Sequence, residues 1–326
     1  MRFRSWFAGL CGLAAAFFGA VAPAAAQGTW PERPVRIIVP FPPGGGTEAV
    51  ARLMAQRFQD VLRQPFVVES RSGASGMLGT ELGARAAPDG YTLTMTASGP
   101  LSILPQMLAA PYDPIRSFEH VALPAITPLA MVVPVNRPPT TVQEFVAWAR
   151  QNAGRINYCS IGVASPSHLS AELFRRSTGL EMTHIPHRGS GPAILDTIAG
   201  HCDVLFDSTS ASGPHAREGR LRALGISTPE RHPSWRELPT IAEQGVPGYA
   251  TSTWSGLVAP AGTPAAIVTR LNAEARRFAT SPRERERIEG QGGIVMDLSP
   301  AQFREYLQAE IARWGEVIRA GNIRAE

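Results

Sequence analysis

"VRIIVPFPPGGGTEAV" occupies residues 35–50. A continuous apolar run reaches two prolines and three glycines, and a segment with helical spacing follows. The run at 35–40 reads as a buried strand. Val50, Leu53, Met54, Phe58, Val61 and Leu62 recur every three or four residues, so 47–63 reads as a helix. Between them lies bare main chain. Gly44, Gly45 and Gly46 carry no Cβ, so a ligand can approach their N–H groups closely. Thr47 then opens a helix whose first amides lack intrahelical partners and whose dipole is positive at that end. Such a turn is a site for an anion, a carboxylate or a phosphate. Two enzymatic versions fail on spacing. A P-loop needs Gly-Lys-Ser/Thr, and a dinucleotide fingerprint needs a third glycine where Ala49 stands. On this stretch alone, a tight turn that binds nothing stays open.

The same pattern repeats along the chain. Strands are predicted at 66–69, 91–96, 129–135, 157–160, 181–185, 204–206 and 221–227, with helices at 167–177 and 192–199. Thr141 and Glu144 form a capping box for a helix through Asn152, and Thr240 with Glu243 form a second box. Three later helices share one start signal, a hydroxyl before proline: Thr263-Pro264, Ser281-Pro282 and Ser299-Pro300. In the last, Phe303, Leu307, Ile311, Trp314 and Ile318 make one core-facing stripe. Strands alternating with helices predict an α/β fold with largely parallel sheets. Extended segments at 124–133 and 249–260 are the candidates for crossings between two domains. Two crossings make one domain discontinuous, giving 27–127 with 251–326 as one unit and 128–250 as the other.

Composition narrows the function. Arg2 and Arg4 precede an Ala/Gly/Phe stretch, and Ala24-Ala25-Ala26 fits a cleavage site, so 1–26 reads as a secretory signal peptide. No later run approaches the ~20 apolar residues of a membrane span. The formal charge of +4 loses two arginines with that leader, leaving +2 and no nucleic-acid footprint. All 31 basic residues are arginine. The missing lysine excludes a PLP Schiff base and a P-loop lysine. Cys159 and Cys202 either pair in an oxidising compartment or are two small buried residues.

Four more strand ends resemble the first. Ser160 leads through a small-residue loop to Ser165, Ser167 and His168. Arg188, Gly189 and Ser190 precede a helix. Ser98 and Asp207 each close a strand. These ends suggest a cleft lined by backbone amides, with Arg188 as its evident cation. His184, His187 and Cys202 invite a zinc reading, but no second metal-like pair accompanies them. Asp207, His168 and a serine would make a hydrolytic triad, but no G-x-S-x-G marks a nucleophile.

At these residues the chain resembles the substrate-binding proteins of tripartite tricarboxylate transporters, the Bug or TctC-like family. The likeness runs through "WPERPVRIIVPFPPGGGTE", "APDGYTL", "INYCSIGVASPSHLSAELF", "HIPHRGSGPAILD", "DVLFD", "GRLRALGIS" and "LPTIAEQGVPGY". It implies a type II periplasmic binding-protein fold: two Rossmann-like α/β domains joined by crossing strands, with a ligand cleft between them. It further implies a periplasmic monomer without cofactor, capturing a small organic carboxylate for membrane permease subunits. A ligand-presenting partner of a histidine kinase is the alternative. The family's ligand loops correspond to Phe41, Gly45, Gly46, Thr47 and Glu48; Ser98; Ser160, Ser165, Ser167 and His168; His187, Arg188, Gly189 and Ser190; and Asp207. Glu48 stands where the family usually has aspartate, His187 where it tends to have tyrosine, Ser208 where asparagine is usual, and Ala164 where glycine is common.

Overall fold

A computed structural model describes residues 30–43, 46–290 and 292–324. The leader read over 1–26 and Gly45 of the glycine turn lie outside the described residues. In the first half of the molecule β1 (Val35–Val39) lies between β2 (Phe66–Ser70) and β3 (Thr92–Ala97), all parallel. Val35, Ile37 and Val39 are fully buried against Met54 and Phe58 of α1 (Gly46–Leu62). The mainly apolar stretch at 35–40 follows from this central position, which covers both faces of the strand. α2 (Met77–Ala84) packs on β1 and β3.

The second half repeats the plan. α3 (Val142–Gln151) leads to β5 (Ile156–Ser160), which sits between parallel β6 (Met182–Pro186) and β7 (Val204–Ser208). α4 (Pro166–Thr178) follows β5, α5 (Ser190–Ala199) follows β6, and α6 (Thr209–Arg217) follows β7. Phe145, Phe174, Phe206 and Tyr249 pack as one aromatic core.

β4 (Phe118–Pro134), 17 residues long, joins the halves. Its first part pairs antiparallel with β9 (Ser252–Pro260), from Phe118↔Pro260 to Pro128↔Ser252. Its last part runs between β7 and β8 (Leu221–Ile226). Pro124 and Pro128 lack N–H groups, and the ladder shifts register between Ala122 and Ala125. The segments expected as crossings are parts of β4 and of the stretch that becomes β9.

Register then fixes where the strand ends meet. β3 ends at Ala97, opposite Ser255, which is opposite Ala125 of β4. β7 ends at Ser208, opposite Leu129 of β4. β3 runs along β4 and β7 runs against it, so their carboxyl ends point toward each other. Four residues of β4 separate them, roughly 13 Å at ~3.3 Å per residue.

α7 (Ala265–Thr280), α8 (Pro282–Gly290) and the short β10 (Ile294–Val295) complete the first half. The closing helix, α9 (Pro300–Gly321), buries Phe303, Leu307 and Trp314 completely. Trp314, Val317 and Ile318 share a cluster with Met77, Ile103 and Leu104 of the first half and Ala164 and Leu169 of the second.

Several local expectations change. α2 contains Gly79 and Gly83, poor helix formers, because a Cβ there would lie 2.4 Å from the Arg71 carbonyl and 1.9 Å from the Thr94 hydroxyl. α6 is rich in Ser and Gly with Pro214 inside, so it carries no helical periodicity. Thr263 does not cap α7; its hydroxyl donates to the Pro260 carbonyl. Thr240 and Glu243 exchange both capping-box bonds, yet only a turn follows.

Cys159 and Cys202 are both fully buried and form a disulfide, with Cα atoms 5.6 Å apart and a sequence separation of 43. A cross-link of that span removes about 4 kcal/mol of chain entropy from the unfolded state. The double variant C159A/C202A is therefore expected to lose about 3–4 kcal/mol in urea unfolding. A loss below about 1 kcal/mol would show that the bridge does not constrain the unfolded chain.

Candidate functional site

The site grows from the facing strand ends. On the first half, α1 starts at Gly46 directly after the glycine turn. A Cβ built on Gly46 meets nothing within 4 Å, so its main chain faces open space. Thr47 Oγ1 lies 3.0 Å from Ser255 Oγ, and Ser98 Oγ lies 3.3 Å from Thr253 Oγ1. Gly46, Thr47, Thr127 and Thr253 face Ser208 and Ser210 across a cavity of about 270 Å³. Leu53, Phe278 and Ile288 make its apolar wall. The cavity thus spans the gap that the register defines, with hydroxyls on β4, β9 and the start of α6.

Phe41 is half-buried, and its ring fills the space that a Cβ on Gly76 would need. Glu48 is buried and accepts a 3.0 Å bond from Arg52 on the next turn of α1.

On the second half, backbone bonds tie the turns together. His187 N–H donates to the Ser160 carbonyl and Gly189 N–H to that of Ile161. Ser160 Oγ lies 2.7 Å from His184 Nε2 and accepts from Gly162 N–H. Ser165 is the N-cap of α4: its hydroxyl accepts from His168 N–H and donates to the Gly162 carbonyl. Ser167 is fully buried, and its hydroxyl has no partner among the described residues. Ser190 Oγ donates to Asp207 Oδ1, which also receives Ser208 N–H. Asp207 Oδ2 is buried without a partner among the described residues. Burial pushes this carboxyl up to about 6, against the pull of its two donors.

Two predicted histidines spend their polar atoms elsewhere. His168 stacks on His184 at 4.0 Å, and its Nδ1 accepts from Ala164 N–H. His187 places Nε2 at 2.7 Å from the Asp196 carboxylate and Nδ1 at 3.1 Å from the Ile185 carbonyl. Arg188 is exposed and makes no ion pair among the described residues. A Cβ on Gly189, whose φ is +117°, would meet nothing within 4 Å.

The predicted residues therefore form two sets. Gly46 and Thr47 line the cavity and Ser98 bonds Thr253 of its lining, while Ser160, Ser165, Gly189, Ser190 and Asp207 are tied along the second edge. Thr127, Thr253, Ser255, Ser208 and Ser210 were not predicted as site residues. For Thr253 and Ser255 a signal was available in "TSTWS" at 251–255, where four of five residues carry hydroxyls beside an otherwise apolar strand.

The chemistry is that of donors and acceptors. Asp207 bonds Ser190 and Ser208 while His168 bonds Ala164, so the two do not form a relay. Ser160, paired with His184, is fully buried. Cys202 is consumed by the disulfide, and among the described residues no three His, Cys, Asp or Glu side chains are placed to hold a metal.

Two parallel-sheet halves whose strand ends face each other across shared strands define the fold of the periplasmic solute-binding proteins. The structural relatives are of that kind. The Rhodopseudomonas palustris protein Rpa4515, solved with adipate, matches with a TM-score of 0.82 at 36% identity, covering 90% of this chain and 99% of that one. MatC from Rhodopseudomonas palustris, solved with malate, matches with a TM-score of 0.76 at 33% identity, covering 88% of this chain and 99% of that one. BugT of Bordetella pertussis is 36% identical over 310 residues, 94% of this chain and 95% of BugT. The model of the tripartite tricarboxylate transporter family receptor, TctC, matches residues 50–323, and the chain belongs to that family.

Titration sets the pH dependence of stability. Burial holds His120, His168, His184 and His232 below the usual histidine range, with His184 at about 4. The unfolded chain takes these protons below pH ~6.5 while the fold refuses them, so stability falls as pH drops from ~6.5 to ~4. Asp207 acts oppositely, since the fold keeps its proton up to about 6. D207N is expected to stabilise the unliganded protein at pH 7 by on the order of 2 kcal/mol, with the gain vanishing near pH 4. Thermal melts at both pH values check this. A lower melting temperature for D207N at pH 7 would contradict it.

Proposed function

We propose that the chain is a non-catalytic periplasmic receptor that captures a small organic carboxylate between two domains, 27–127 with 251–326 and 128–250. It acts as a monomer without cofactor or nucleic acid and hands its solute to membrane permease subunits. One observation carries this reading: the amide-bearing start of α1 and the hydroxyls at the end of β7 share one cavity across the gap between facing strand ends. Unpaired amides at a helix start favour a carboxylate, and hydroxyls complete its shell. A cavity of about 270 Å³ suits a small metabolite. Adipate and malate, held by two relatives, are the natural first probes. Closure about β4 and β9 would trap the solute.

Calorimetric titration with adipate, malate and a panel of mono-, di- and tricarboxylates tests the reading. Saturable binding by at least one of them is expected. G46L should weaken that binding at least tenfold. A Cβ at this position meets nothing within 4 Å, so the melting temperature should stay close to the parent's. Unchanged affinity in G46L would remove α1 from the site.

A further inference from the structure

Ala164 is a non-glycine residue with φ +59°, in the left-handed region that a Cβ disfavours. It is also buried, and its cluster contains Met77, Ile103 and Leu104 of the first half and Trp314 of α9. A methyl group is therefore useful there, although its backbone conformation is costly. The turn that contains it runs from Gly162 to Ser165, directly before the first amides of α4. β5 pairs Cys159 with Leu205 of parallel β7, so this turn leaves the sheet at the edge where Asp207 and Ser208 stand.

One side chain reaches back to the strained residue. His168 Nδ1 accepts from Ala164 N–H at 3.1 Å. The ring is fixed by its neighbours. His184 of β6 lies parallel at 4.0 Å and 5°, and Tyr158 of β5 is near-parallel to both. Tyr158 donates to Glu172 at 2.6 Å, and Arg175 donates to the same carboxylate. Two strands and one helix thus orient a single acceptor.

We propose that His168 is a positioning residue of the solute site: by accepting from Ala164 it holds the Gly162–Ser165 turn and so aims the start of α4 at the cleft. This rests on the proposed receptor function and deepens it. His168 acts through Ala164 rather than by touching the solute. An imidazole accepting on Nδ1 carries its proton on Nε2, and protonation of Nδ1 breaks the bond. Burial, the largest influence, opposes that proton on His168 and on His184. The other charged or titratable groups around the stacked His168–His184 pair are Tyr158 of β5, Glu172 and Arg175 of α4, Arg324 after α9, and His187, which acts on His184.

Three variants separate the roles. H168N keeps an acceptor near the Nδ1 position, H168F keeps a stacking ring without one, and H168F/A164G relieves the backbone cost that the bond offsets. Amide exchange at Ala164, followed by nuclear magnetic resonance without ligand, should be at least tenfold faster in H168F than in wild type or H168N. In wild type the protection should weaken on acidification, and in H168N it should not. With adipate and malate as probes, H168F should bind at least tenfold more weakly, and H168F/A164G should recover to within a few-fold. Unchanged exchange in H168F, or no recovery in the double variant, would overturn the proposal. H168N that protects Ala164 yet binds as poorly as H168F would place the ring against the solute, which also overturns it. If H168F does not fold, the contrast in pH dependence between wild type and H168N decides alone. Failure of wild type to bind any carboxylate would instead count against the receptor reading, while the exchange data still judge the turn.

Discussion

The structure depends on one backbone ladder. β4 is continuous from Phe118 to Pro134 and carries β9 along its first part and β7 with β8 along its last. Hydrogen-bond register along such a strand is strict, because a one-residue slip turns every side chain to the other face. The positions of the β3 and β7 ends are therefore not independent. Each is fixed against the same strand, four residues apart, and they point at each other. Everything at the site follows from that geometry. The start of α1 and the hydroxyls at the end of β7 line one cavity, while the turns after β5 and β6 are tied to each other along the second edge.

The gap is furnished for recognition. Hydroxyls of Thr47, Ser255, Ser98 and Thr253 bond one another in pairs, so each can exchange its partner for a solute oxygen. Helix starts supply amides without the cost of burying a full positive charge. Asp207 is the exception, a buried carboxyl with one satisfied oxygen and one that has no partner among the described residues. Two donors on Oδ1 do not outweigh its desolvation, and it holds its proton to higher pH than an exposed aspartate.

Much of the fold is legible in the amino-acid order because the central strands are buried on both faces. "VRIIV" and "VLF" leave little alternative to core strands, and helices with an apolar stripe, such as α1 and α9, declare their period. α2 and α6 escape because close packing dictates Gly79 and Gly83 in one, while Ser, Gly and Pro fill the other, which removes the propensity signal. The site is half legible. Bare glycines before a helix state a physical purpose by themselves. Side-chain direction does not follow from position in a motif: His168 and His187 lie in the expected turns, yet their rings bond Ala164 and Asp196. Conversely, Thr127, Thr253 and Ser255 reach the cavity from crossing strands, and only register reveals which of their neighbours face it.

The most direct measurement is a crystal structure with a bound carboxylate. The account predicts solute oxygens within hydrogen-bond distance, about 3.2 Å or less, of the Gly46 and Thr47 amides and of a hydroxyl beyond β7. Density instead in a second cavity, lined by Tyr158, His168, His184 and Arg324, or on the outer surface of either half, would contradict it.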